Sequence, residues 1–188
     1  MRSVLLKIAT FCVLLASHSA FAGVGFNVGG GLPYTSQFGV NWFISDQFSA
    51  EVSFNQLSLS SGTASLSMTK PEIGIKWHMF KGSFFLGLAL GQFTLESVGT
   101  DPVSSLEAKA EITATAMTVT MGWLWSISDG GFFWGLDFGY QSPSGVDTTI
   151  TGPLSPGDTA YDDAEELAND MGDTALPLFT FLRLGYMF

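Results

Sequence analysis

Side chains able to do acid–base or ionic chemistry are sparse in this sequence, and the informative ones share a pattern. Glu51 alternates with Ser49, Ser53 and Asn55, while Glu72, Lys76 and His78 alternate around Gly74. Asp137 alternates with Gly135 and Gly139, and Arg183 with Gly185. Two-residue spacing puts side chains on one face of a strand, so all six belong to faces made of small or polar residues. A nucleophile finds less support. The one cysteine, Cys12, lies in the leading segment, and beyond that segment the only histidine is His78. No Ser-His-acid arrangement is spaced for nucleophilic catalysis, no ligand cluster suits a metal, and the acids from Asp158 to Asp173 lack the pattern of a calcium loop. These absences read as a chain that is not an enzyme and holds no cofactor.

The elements that position those residues begin after a processing segment. Arg2 and Lys7 precede a short apolar run, Ile8 to Ala16, and Ala20-Phe21-Ala22 has the small residues a signal peptidase accepts. The expected division is residues 1–22 as a signal and 23–188 as one domain. Losing Arg2 and Lys7 takes the basic residues from 7 to 5 against 17 acids. That balance argues against nucleic acid, which needs clustered Lys and Arg. No apolar run approaches the ~20 residues of a spanning helix.

Period-two alternation runs through the rest. Eight strands are expected, near Val24–Leu32, Gln37–Ile44, from Phe48, around Glu72–Met79, from Phe84, Met117–Ile127, Phe132–Gln141 and Leu178–Phe188. Each reads as close to the ~9–11 residues of a tilted membrane strand. Phe93 and Leu95 break the phase of the fifth, which suggests a bulge near Gly91. Tight connections (Ser45-Asp46-Gln47, Lys81-Gly82-Ser83 and Ser128 to Gly131) alternate with longer ones after strands three, five and seven, the last spanning Ser142 to Pro177. Short turns at one end and longer loops at the other are the mark of an outer-membrane barrel.

The faces say which way round the barrel is. The non-apolar face is mostly Gly, Ala, Ser, Thr and Asn, as suits a narrow lumen, whereas a water-facing surface should be rich in Lys and Glu. Trp42, Trp77, Trp125, Trp134, Tyr186 and Phe188 cluster at the tight-turn ends of the apolar faces, as an interfacial girdle would. Glu51 with Lys76, and Asp137 with Arg183, fall at similar heights on neighbouring strands. The six charged residues therefore read as a lumenal ion network filling the barrel, with a gate or polar solute path as the sharper alternative.

Leu182-Arg183-Leu184-Gly185-Tyr186-Met187-Phe188 resembles the C-terminal signal read by the outer-membrane assembly machinery. The chain as a whole is similar to the small outer-membrane barrels that include the OmpA transmembrane domain, OmpX and OmpW. The resemblance implies an all-β, eight-stranded, up-and-down transmembrane barrel in the outer membrane, both termini periplasmic, with lipid, lipopolysaccharide and the assembly machinery as partners. Some small barrels act on lipid A through a histidine near the outer rim, but His78 falls by a periplasmic turn. The function expected is structural or surface-interacting, the alternative a narrow passage for small or amphipathic solutes.

The last loop completes the reading. From Asp158 to Met171, Tyr161, Ala164, Leu167, Ala168 and Met171 form an apolar stripe opposite Asp162, Asp163, Glu165, Glu166 and Asp170. A short amphipathic helix over the barrel mouth is expected there, its acids solvated or facing a cation, a basic partner or the lipopolysaccharide surface. Removing this loop is expected to leave a folded barrel, because surface loops tolerate such change. Protease added to intact cells should cut this loop in the unmodified protein. Cleavage confined to lysates would put the loop on the periplasmic side.

Overall fold

The computed structural model of the 188-residue chain describes residues 23–61, 64–79, 82–100, 107–126, 130–151 and 175–188. The expected signal (residues 1–22) and the expected loop helix with Tyr161, Asp162, Glu165, Glu166 and Leu167 lie outside the described residues. Eight strands run in chain order: β1 Gly23–Leu32, β2 Ser36–Phe43, β3 Phe48–Ser61, β4 Ala64–His78, β5 Phe84–Thr100, β6 Glu107–Trp125, β7 Gly131–Thr151 and β8 Leu176–Met187. Each pairs antiparallel with its chain neighbours, and β1 pairs with β8 from Gly25↔Met187 to Leu32↔Phe179, which closes the barrel.

The outer face carries an apolar belt. Val24, Phe26, Val28 and Leu32 of β1, Ile73, Ile75 and Trp77 of β4, and Leu86, Leu88 and Leu90 of β5 are exposed there. Phe132 at 81% and Tyr140 at 64% exposure mark the two ends of the belt on β7. The steps between them, at about 3.3 Å each and a tilt of 35–45°, give a belt about 20 Å tall, close to the ~25 Å apolar band of membrane barrels. Its upper edge keeps register round the wall. Ile73, Leu90 and Met117 are paired and apolar, whereas Thr69, Thr94 and Thr113, paired two rows above, are polar.

Above that line the inner and outer faces exchange character without changing phase. Leu57, Met68, Leu95 and Ile112 are cross-strand partners in a row, and all four point inward and are buried. With Tyr34, Phe93, Ala114 and Ala116 they make an apolar core inside the upper barrel. Outside it the wall is polar, and Lys109 bridges Glu96 at 2.9 Å and Glu111 at 3.3 Å. The hydrogen bond to Glu96 leads the effects that raise the Lys109 pKa. The upper barrel is thus built like a soluble one, apolar inside and polar outside.

This inversion corrects several expectations. Register along β5 is unbroken on both sides, so there is no bulge near Gly91. Phe93 and Leu95 occupy inward positions where the interior has become apolar. Six of the eight strands, β3 to β8, exceed the expected ~9–11 residues, β7 reaching 21, because polar outer positions above the belt read as loops in the sequence. The β3–β4 connection is not long, since Ser61 pairs with Ala64. The last loop does not start at Ser142, because β7 pairs with β6 as far as Thr151.

Two bulges are present elsewhere. One in β7 lies opposite Thr113–Thr115, where Gly145 takes a left-handed φ of 65° that glycine adopts without the strain a Cβ would add. The other lies in β8, where the pairing with β7 slips between Gly135 and Asp137 and that with β1 between Gly30 and Gly31. Phe181 and Leu182 are consequently both exposed, and the expected facing reverses above them. Leu178 packs on the inner core, and Phe179 packs outside, tilted against Phe138 and edge-on to Phe181.

A charge in the belt should be costly and one above it cheap. Val119→Arg, at an outward belt position, is expected to lose about 2–4 kcal/mol. Thr113→Arg, outward but above the belt, should stay within about 0.5 kcal/mol of the original chain. Urea unfolding in lipid vesicles checks this, and equal, small effects would mean the belt does not face lipid.

Candidate functional site

The charged face of the sequence converges inside the barrel, where strands from opposite sides meet. Glu51 of β3 is its hub. Glu51 Oε1 accepts from Arg183 Nη1 of β8 at 2.6 Å and from Asn27 Nδ2 of β1 at 3.0 Å. Its other oxygen pairs with Lys76 of β4. Arg183 Nη2 donates to Asp137 Oδ2 of β7 at 2.8 Å, and Thr180 Oγ1 donates to Asp137 Oδ1 at 2.8 Å. Arg183 thus bridges two carboxylates with separate N–H groups, the forked geometry in which guanidinium exceeds ammonium.

A second tier lies one step higher. Lys70 Nζ contacts Glu72 Oε2 at 2.8 Å and donates to Thr118 Oγ1 at 3.0 Å. Glu72 Oε1 accepts from Ser53 Oγ at 3.0 Å and Asn55 Nδ2 at 2.9 Å. Above Lys70 lies the ring of Tyr34, whose hydroxyl donates to Gln141 Oε1 at 2.8 Å. Burial holds the Tyr34 phenol above its ordinary range. The described lumen therefore balances three acids (Glu51, Glu72, Asp137) with three cations (Lys70, Lys76, Arg183), as burial of charge requires.

Local sequence makes room for this layer. A Cβ at Gly39 would stand 2.6 Å from Asn27 Nδ2 and 2.7 Å from Glu51 Oε1, so only glycine leaves that hydrogen bond undisturbed. The β8 bulge performs a similar service, setting Thr180 opposite Asp137 with Arg183 still inward.

Apolar layers bracket the charges. Below them Phe43, Phe85, Leu124, Phe133 and Met187 form a buried cluster. The Phe133 ring lies across Gly185, where any Cβ would overlap it. His78 sits at this boundary, flanked by the Phe43 and Phe85 rings, with Nε2 3.1 Å from Ser49 Oγ. Both residues are buried. Above the charges lies the Tyr34–Phe93 core already described. Between the two layers is a cavity of about 50 Å³, lined by residues of both ionic tiers.

The six charged residues singled out from the sequence thus divide three ways. Glu51, Lys76, Asp137 and Arg183 form one network, Glu72 belongs to a separate tier with Lys70, and His78 stands apart with Ser49. Lys70 escapes the sequence reading because Pro71 precedes the expected start of its strand. The alternation Lys70-Glu72-Gly74-Lys76-His78 continues through it, and the side chain is 1% exposed. Of the expected girdle, Trp42, Trp77, Trp134, Tyr186 and Phe188 are exposed on the outer face. Trp125 stacks on Trp134 at 4.2 Å, and Tyr186 packs edge-on against Phe132 and Phe188. Among the described residues no group of His, Cys, Asp and Glu is arranged to hold a metal.

A solved outer-membrane protein shares this architecture. A major outer membrane protein from Thermus thermophilus aligns with 89% of this chain and all of its own, at a TM-score of 0.58 and 10% identity. The fold is that of an outer-membrane barrel protein. Acinetobacter baumannii CarO2 aligns with 90% of this chain and all of its own at a TM-score of 0.48 and 11% identity. CarO from the same organism covers 88% of this chain and 97% of its own, at 0.46 and 13%. No family model and no curated protein sequence matches the chain. At these identities the likeness is one of fold.

Breaking the Arg183–Asp137 contact from either side should orphan buried charge. Asp137→Asn and Arg183→Met are each expected to cost about 3–5 kcal/mol, and the double variant less than their sum. Unfolding midpoints of the four proteins measure the coupling, and additive losses would show that the two side chains act independently.

Proposed function

We propose that this chain is a non-enzymatic outer-membrane β-barrel whose lumen is closed by its own side chains, with a structural or surface-interaction role. The observation that carries this reading is the stacking of the interior, in which a charge-balanced ionic layer lies between two apolar ones. The lumenal cavity of about 50 Å³ is far below the ~300–1,000 Å³ of small-molecule sites. The apolar layers are where water and ions would be excluded, since hydrophobic constrictions close by dewetting.

The setting follows from the outside. The apolar belt suits the hydrocarbon of a bilayer, and its aromatic residues near the short turns suit the interface. The polar wall above it then stands outside the cell among the sugars of lipopolysaccharide, with both ends of the barrel chain periplasmic. The pattern from Leu182 to Phe188 on β8 is what the assembly machinery would engage. Burial of Ser49 and His78 supports the absence of a catalytic role.

Planar-bilayer recording tests the closed lumen. The unmodified protein should carry no sustained ionic current, whereas Phe133→Ser in the lower apolar layer combined with Phe93→Ser in the upper one should raise it by breaching both. Steady conductance by the unmodified protein would establish the narrow-passage reading instead.

A further inference from the structure

The upper apolar layer is closed mainly from one side. Among the described residues every buried member of it but one lies on β3 to β6, from Leu57 to Ala116. The exception is Tyr34, which comes from the opposite arc of the barrel. It stands on the turn between β1 and β2, where the pairing of those two strands has already ended at Gly29↔Gln37. Pro33, Tyr34 and Thr35 belong to no strand. The turn is small, closed by Gly31 N–H donating to the Tyr34 carbonyl at 3.0 Å. It folds back so tightly that a Cβ at Gly30 would stand 2.7 Å from the Thr35 carbonyl oxygen. Tyr34 thus reaches inward from a point that no strand ladder holds.

Its contacts fasten as well as fill. A phenylalanine would occupy the same space in the layer. The hydroxyl adds one bond, to Gln141 Oε1 of β7 at 2.8 Å, and Gln141 is fully buried. Tyrosine supplies a polar tip for such a bond while its ring packs. The ring face meanwhile lies 5.2 Å from Lys70 Nζ of β4, within the range of a cation–π contact. One side chain therefore ties the β1–β2 turn to two strands across the lumen. It also covers the Lys70–Glu72 pair from above, so displacing the ring is what would uncover that pair.

We propose that Tyr34 is a gate residue, a side-chain latch that admits small polar solutes from the upper mouth to the ionic layer when it leaves Gln141 and Lys70. Moving it breaks one hydrogen bond and one ring contact and leaves every strand pairing intact, which makes it a local opening. The lower seal has no such element, since Phe43, Phe85, Leu124, Phe133 and Met187 all lie on strands. The lumen is then a chamber with one door, at its upper end. This proposal rests on the closed lumen put forward above and adds where that lumen opens.

Amine access tests the latch. The full chain in micelles is methylated with formaldehyde and cyanoborohydride, and each lysine is followed by peptide mass spectrometry. Lys109 on the outer wall should react in every variant, Lys76 of the lower tier in none, and Lys70 should be protected in the unmodified protein. Tyr34→Phe keeps the ring and removes the bond, while Gln141→Leu removes its acceptor. Each should raise the Lys70 rate about five- to tenfold, the effect of one lost hydrogen bond on an opening equilibrium. The double variant should go no further. Ile112→Val, a small truncation on the strand-borne part of the same layer, should change nothing. Protection of Lys70 in both Tyr34→Phe and Gln141→Leu would overturn the latch and leave the closed lumen standing. Reaction of Lys76 alongside Lys70, or an equal effect of Ile112→Val, would also overturn it, by showing that the interior loosens as a whole. Reactive Lys70 in the unmodified protein would instead overturn the closed lumen itself.

Discussion

Closure of β1 on β8 is the constraint on which the rest of this structure rests. A sheet edge carries unpaired N–H and C=O groups, and in hydrocarbon each such group costs several kcal/mol. Pairing Gly25 through Leu32 with Met187 through Phe179 removes the edges at the level of the belt. It also fixes what the interior can be. Eight strands leave a lumen only wide enough for side chains, so every inward residue must find its partner across the barrel.

The ionic layer is intelligible in those terms. Glu51 reaches Arg183 and Lys76 from different strands, and Asp137 takes the remaining arm of Arg183. Such an arrangement is weak evidence for net stability, because desolvation offsets much of the attraction. Its strength is in registering strands, since a slip by one residue would turn each charge outward. The glycines at 39 and 185 belong to the same logic. They give up side-chain contacts to let Glu51 and Phe133 cross the lumen.

Much of this was legible in the sequence, and the parts that were not share a cause. Strict alternation with small inner residues identified the barrel, its strand number and the facing of Glu51, Lys76, Asp137 and Arg183. The reading took the outward positions to stay apolar along the whole strand. That holds for Ile73, Leu90 and Met117, and fails two rows higher, where Met68, Leu95 and Ile112 point in. Phe93 and Leu95 looked like a phase error when they were a change of solvent on the two faces of an unbroken strand. The β8 reversal was hidden differently. Phe179, Phe181 and Leu182 are all apolar, and the one mark of the bulge was Thr180, a polar residue in the frame expected to face outward. Lys70 was concealed by Pro71, although proline on a strand removes one donor and leaves the side-chain alternation intact.

The seams of the barrel are unequal, and the inequality has a kinetic meaning. β5 and β6 are paired from Phe84↔Trp123 to Thr100↔Glu107, whereas β1 and β2 are paired only from Gly23↔Phe43 to Gly29↔Gln37. Local opening draws on the free energy of the contacts it breaks. The arc β8–β1–β2 is therefore where the wall parts first, and its amides should exchange with solvent soonest. The β5–β6–β7 meander joins strands adjacent in the chain, so it can form without closing a long loop. It is the part of the barrel that would assemble earliest and hold longest, with the two ends of the chain brought together as the final step.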